Sequence, residues 1–296
     1  MKLLKIGETI LLILFPIAVV FVFLFVISKE AGDSEFYSNF GTGVLVIAHQ
    51  GGDGLWPGNT LYAFQQAVNM GVDVIETDIR QTKDGIIVIS HDDNVDGKSN
   101  GSGLISDLTY AELQQLDAGY TWTNDGGLTF PYRGQGITYS SLEDIFIALP
   151  SMRFNIDMKQ IDPPIYHNFC NLLQEYDMEN KVIAASFTHA NMTEFRKICP
   201  RVTTAGDESE TRVFVFMNFA YLGRLYSPNF KVFQVPTESS GIVILTPNFI
   251  QAAHQRNLRV DAWTIDNPDE MRRLIDMGVD GIISDRPDVL MQVLGR

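Results

Sequence analysis

The stretch 47–93, IAHQGGDGLWPGNTLYAFQQAVNMGVDVIETDIRQTKDGIIVISHDD, constrains the fold more than any other part of the chain. Short β-branched runs at 44–48, 72–79 and 86–90 read as strands, with a helical pattern between the first two. Each run ends at a residue capable of chemistry, which is where parallel α/β folds place their active sites. Glu76 and Asp78 stand two apart on one run, so both side chains leave the same face of the strand. Two carboxylates on an apolar strand repel and desolvate each other unless a cation lies between them. A metal ion meets that need.

The remainder continues the alternation. Further strand candidates lie at 153–158, 182–186, 202–205, 232–235, 260–265 and 281–284, which makes nine. Eight would close a (β/α)8 barrel, and without its first ~40 residues the chain has about the ~250 typical of one. Either 202–205 or 232–235 is surplus by this count. Asn59-Thr60 caps a helix that buries Leu61, Phe64 and Val68 and ends at Gly71. Thr109 with Glu112 makes a capping box, and Thr246-Pro247 and Asn267-Pro268 open two more helices. The apolar stretch 212–225 reads as a buried helix rather than a lipid-contacting lobe. Residues 94–140, rich in glycine, read as an irregular insertion after the third strand.

Residues 9–28, TILLILFPIAVVFVFLFVIS, are uncharged and bounded by Glu8 and Lys29. Twenty residues at ~1.5 Å each match a hydrocarbon core of ~30 Å, so the segment is expected to be one transmembrane helix. A cleaved signal peptide is the rival reading, but the apolar part is long and no clean small-residue cleavage site follows. Lys2 and Lys5 before the span put residues 1–8 in the cytoplasm and the domain 44–296 outside. Residues 29–43, polar and with Gly and Ser, read as a linker. Cys170 and Cys199 are the only cysteines; they could pair outside the cell or sit as thiols in a core. A net charge of −14 without a basic cluster gives no support to a nucleic-acid partner.

The candidate chemistry gathers at strand ends. Glu76, Asp78 and Asp157 offer three hard oxygen ligands from two strands, which suits Mg²⁺ or Ca²⁺ over zinc. His49 and His91 end the first and third strands, and imidazole titrates in the range useful for proton transfer near neutrality. Lys159, two residues beyond Asp157, points to the same strand face as a point charge for phosphate, or as a salt-bridge partner of Asp157. Trp263 falls near the end of the RVDAWTI strand, where a tryptophan can pack a barrel core. Gln50 after the first histidine can donate a neutral hydrogen bond to a substrate phosphate.

Taken together, AHQGG, GNT, ETD, SHDD, NIDMK and the closing WTIDNPDEMRRLIDMGVDGIISDRPDVL resemble the glycerophosphodiester phosphodiesterase family over residues 44–296. The match is poor at 200–240. The resemblance implies a TIM barrel with an insertion after its third strand, a divalent cation on Glu76, Asp78 and Asp157, and general base and acid roles for His49 and His91. It also implies that Trp263 lines a glycerol pocket. Three positions depart from the family: Gln50 replaces an arginine, Gly58 a glutamate, and Asp157 the more usual glutamate. The expected activity is hydrolysis of a glycerophosphodiester to glycerol phosphate and an alcohol. The alternatives are a lysophospholipase D acting on lysoglycerophospholipids and a non-catalytic, membrane-tethered binding domain.

Overall fold

The computed structural model describes residues 25–296 together with Phe15, Val19 and Phe23. The expected transmembrane segment, 9–28, therefore lies largely outside the described residues. Among the described residues no helix is long and apolar enough to cross a membrane.

Strand β1 (Leu45–Ala48) leads through helix α1 (Leu61–Met70) to β2 (Val74–Gln81). The hairpin strand β3 (Ile87–Ile89) and the short α2 (Tyr110–Leu113) precede α3 (Leu142–Ala148) and β4 (Phe154–Met158). Next come α4 (Tyr166–Glu175), β5 (Val182–Ala185), α5 (His189–Ile198), β6 (Thr203–Thr204) and α6 (Glu208–Phe219). After β7 (Val232–Val235) stands a small hairpin of β8 (Glu238–Ser239) and β9 (Ile242–Val243). Then α7 (Pro247–His254), β10 (Arg259–Ala262), α8 (Pro268–Met277), β11 (Gly281–Ser284) and α9 (Pro287–Leu294) follow.

Eight parallel strands lie in the order β6-β5-β4-β2-β1-β11-β10-β7, and a parallel bridge between Ala205 and Val232 brings the two ends together. The ring is the expected TIM barrel. The expected strand at 86–90 is not one of its staves, because β3 turns back antiparallel onto the end of β2, pairing Ile79 with Ile89. Both 202–205 and 232–235 are needed, so the surplus run is the third. A three-residue apolar strand carries no mark of its direction, and only the partner decides it.

The capping signals place the helices. Thr60 accepts from the Ala63 amide and Gly71, at φ 89°, ends α1, but the buried face is Ala63, Phe64 and Ala67. Leu61 is half-buried and Val68 exposed, contrary to the apolar spacing. The insertion is less irregular than its glycines suggest. Val88, Val95, Ile105, Leu113, Ala118, Ile137 and Tyr139 form a small core of their own. The stretch expected to be a buried helix, 212–225, overlaps α6, which buries only Phe214 and Asn218.

Residues 29–43 are packed against the barrel rather than standing free of it. Phe36 is fully buried among Leu45, Ile47, Val74, Ile183, Ala205, Val232 and Ile283, and so stops the barrel's amino-terminal end. Arg153 and Arg259 lie over the Phe40 and Tyr37 rings at 4.6 and 4.5 Å. Above this plug sits Asp261, wholly buried, with neither carboxylate oxygen hydrogen-bonded. Burial pushes its carboxyl up to about 7. The folded chain thus holds the Asp261 proton more tightly than the unfolded one. This contribution to stability is whole below about pH 4 and is lost as pH rises through 7. Asp261→Asn should therefore gain on the wild type between pH 5 and 8 by on the order of 2 kcal/mol in urea unfolding. Parallel stability curves for the two proteins would remove the assignment.

Candidate active site

The turn after β1 builds one wall. Gln50, Gly51 and Gly52 all have positive φ, at 49°, 81° and 104°. A Cβ at Gly51 would lie 2.6 Å from the Phe64 ring, so glycine lets α1 pack close while the turn swings His49 over the barrel mouth. Nδ1 of His49 is 2.6 Å from Asp285, which follows β11, and Nε2 is 3.8 Å from Glu76. Burial disfavours the imidazolium, but the Asp285 hydrogen bond and the fields of Glu76, Asp285 and Asp78 outweigh it and push His49 up to about 9.

Strands β2 and β4 supply the carboxylates. Asp78 and Asp157 are direct partners in the β2–β4 register, and Glu76 lies one inward-facing position below Asp78. All three are buried. Burial, then the Asp78 charge, pushes Glu76 up to about 8 against the pull of His49. Burial likewise raises Asp157. Lys159 answers part of this charge, with Nζ 3.1 Å from Asp78 and 2.8 Å from Asp157. The salt bridge anticipated from sequence is therefore made, and to two acids. Burial would depress the lysine, but its two carboxylates win and hold its pKa above the usual value. One atom, Oδ1 of Asp157, is buried with no hydrogen-bond partner. Three hard oxygen donors, one of them unpartnered, form a set that fits a divalent cation.

His91 follows the hairpin strand instead of ending a barrel strand. Arg80 donates from Nε and Nη2 to its carbonyl at 2.9 and 2.8 Å, and its Nδ1 pairs with Asp92 at 2.9 Å. It nevertheless faces the same cavity, of about 930 Å³, as His49, Glu76, Asp78, Asp157, Lys159 and Trp263. Phe187 meets Trp263 edge-on at 6.3 Å across the opening.

Gln50 is placed differently from the expectation. It does not line the cavity but lies buried behind it, with Nε2 3.4 Å from Asp78. Its Oε1 accepts from Lys98 of the insertion at 2.6 Å. Lys98 also reaches Asp53 at 3.5 Å. A Cβ on Gly58 would fall 2.3 Å from the Asp53 carboxylate, so Asp53 fills the space beside that residue. A lysine–aspartate pair thus flanks the two positions where the sequence lacks an arginine and a glutamate. Sequence reasoning missed Lys98, Asp53 and Asp285. Asp285 had a signal, an acid just past a strand end, whereas nothing in the chain links Lys98 to Gln50.

Among the described residues, the trio whose possible ligand atoms lie within 4.8 Å of one another is His189, Asp207 and Glu210. Asp207 there caps α6 through the Ser209 and Glu210 amides, and Glu210 takes two bonds from Arg196. Its carboxylates are already satisfied, which makes it a helix cap.

Residues 49–289 match the Glycerophosphoryl diester phosphodiesterase family. A glycerophosphodiester phosphodiesterase of Caldanaerobacter subterraneus subsp. tengcongensis is 30% identical over 257 residues, 85% of this chain and 98% of its own. A lysophospholipase D of Rattus norvegicus is 25% identical, over 84% of this chain and 86% of its own. The structure of an Oleispira antarctica phosphodiesterase in complex with the product sn-glycerol-3-phosphate shares the fold, with a TM-score of 0.69 at 22% identity over 88% of this chain and 99% of that one. The chain belongs to the glycerophosphoryl diester phosphodiesterase family and is a phosphoric diester hydrolase.

Proposed function

We propose that this chain hydrolyses glycerophosphodiesters to glycerol phosphate and an alcohol with His49 and His91 as general base and general acid. The observation that carries the reading is that both histidines face one cavity with Glu76, Asp78, Asp157 and Lys159. Glu76, Asp78 and Asp157 would hold a divalent cation, Mg²⁺ or Ca²⁺. Such an ion supplies charge neutralisation at the phosphoryl oxygens. Lys159 adds a fixed positive charge beside the phosphate. Asp285 orients His49 through Nδ1 and leaves Nε2 for the substrate. One histidine takes the proton of the attacking glycerol hydroxyl while the other gives one to the leaving alkoxide, and water then opens the resulting cyclic phosphate to glycerol phosphate. Trp263 and Phe187 form an apolar wall for the carbon skeleton.

A second reading, a lysophospholipase D, is favoured by the cavity's other wall, where Val215, Phe216, Ile242 and Ile244 could lie along an acyl chain. Release of glycerol phosphate from glycerophosphocholine, and of choline from lysophosphatidylcholine, separates the two readings when measured on one preparation. Excess chelator should abolish both activities. Full activity in chelator would end the metal assignment, and no product from either substrate would leave only a binding domain.

Residues 9–28 are proposed to anchor the chain in a membrane with the catalytic domain outside the cytoplasm. The bonded pair Cys170–Cys199, which ties α4 to the residue after α5, supports an oxidising exterior.

A further inference from the structure

Helix α6 is built backwards for a surface helix. Its inner face buries Phe214 against Phe233, Phe249 and Tyr226, with ring centroids 4.7, 5.2 and 5.3 Å apart. Its outer face, where such helices put charge, carries Val213, Phe216 and Phe219, with Tyr221 just beyond, each 51–83% exposed. The exposed ion pair Glu208–Arg212 of α6 is confined to the amino-terminal end of that helix, whereas α8 covers its solvent side with the pairs Asp269–Arg272 and Glu270–Arg273. A contiguous exposed apolar stripe on a folded domain marks an interaction site.

The chain itself indicates what lies there. Ser28, at the end of the apolar run 9–28, donates to the Arg224 carbonyl just past α6, and the Lys29 amide donates to Ser227. The next residues are pinned as well. The Ala31 amide donates to the Arg256 carbonyl, Asn257 donates to the Ala31 carbonyl, and Lys231 donates to that of Gly32. No slack remains between the apolar run and the barrel. Nearer the start of α6, Val215 and Phe216 line the catalytic cavity together with Ile242, whose hairpin exposes Ile242 and Val243.

We propose that the outer face of α6, continued by the tip of the β8–β9 hairpin, rests in the interfacial layer of a zwitterionic phospholipid bilayer. The mouth of the catalytic cavity then opens at the lipid surface. A net charge of −14 removes electrostatic attraction to anionic lipid as the cause, so contact depends on apolar burial and is insensitive to salt. This placement rests on the membrane-anchor reading of residues 9–28.

The test uses the full chain in phosphatidylcholine vesicles containing acyl-chain nitroxide. A fluorescent amino acid replaces Phe219 in one sample and Ile147, an exposed residue of α3, in another. The probe at 219 should lose its emission and the probe at 147 should keep it, at low and high salt alike. The V213S/Y221S pair should restore emission at 219 while hydrolysis of soluble glycerophosphocholine stays unchanged, which shows the barrel folded. Vesicle-bound protein with both probes equally bright would overturn the docking face and leave the anchor standing. Protein that fails to float with vesicles would overturn both. A 219 probe shielded from aqueous iodide yet unquenched by lipid would assign the stripe to the chain's own amino-terminal segment. Shielding that appears only as protein density rises would assign it to a second copy.

Discussion

Asp78→Asn should lower kcat/KM on glycerophosphocholine by about 10²–10³-fold or more, the cost of removing one preorganised electrostatic group from a buried site. Asp78 is the hub of the site. It accepts from Asn59 at 3.0 Å and Gln50 at 3.4 Å, pairs with Lys159 at 3.1 Å, and neighbours Asp157 in the sheet. The isosteric amide keeps the shape while deleting the charge, so lost cation binding can be told from misfolding. Thermal denaturation should change little, because one of three mutually repelling buried acids has gone. Its charge is also one reason Glu76 is pushed up to about 8. Activity within tenfold of wild type, at saturating divalent cation, would sink the assignment of Asp78 as a ligand.

His49→Ala and His91→Ala should each cost about 10²–10⁴-fold in kcat, the usual worth of a positioned proton-transfer group. A substrate with a strongly acidic leaving alcohol rescues only the variant that lacks the general acid, because such an alcohol departs without a proton. Asp285→Asn is the sharper probe of His49. It keeps a hydrogen-bonding atom near Nδ1 but removes the charge that raises the imidazole, so the His49 pKa should fall from about 9. Titration of the ring by NMR reads this shift apart from turnover. Two histidine variants that both retain more than a tenth of the activity would make the pair structural.

Much of the barrel was legible because its signals are local. Strand-end acids at 76, 78 and 157, the capping residues Thr60, Thr109, Thr246 and Asn267, and the glycine stop at 71 each act within a few residues of themselves. What escaped was whatever depends on a distant partner. The run 86–90 reads the same as a barrel stave or a hairpin arm until β2 is seen beside it. Helix α6 was expected to be buried because apolar composition says nothing of which faces find neighbours. Gln50 was assigned to substrate because Lys98, 48 residues on, was not known to sit on its amide oxygen. The segment around Phe36 looked like a spacer because one buried ring among polar residues leaves almost no periodic trace.

The plug and the seam together impose an order on how the protein comes into being. β1 pairs with β11, Leu45 facing Gly281 and Ala48 facing Ser284, and His49 bonds to Asp285, 236 residues away. Ile283, the last inward-facing wall of the Phe36 socket, belongs to that same final strand. At translation rates of about 5–20 residues per second, β1 waits on the order of ten to fifty seconds for its neighbour. Throughout that interval Phe36 lacks a complete socket, the first stave has an open edge, and His49 lacks the acid that orients it. Assembly of the site is therefore all-or-nothing: a ribosome that stalls before residue 281 leaves an open sheet, with His49 at its edge and no partner for it.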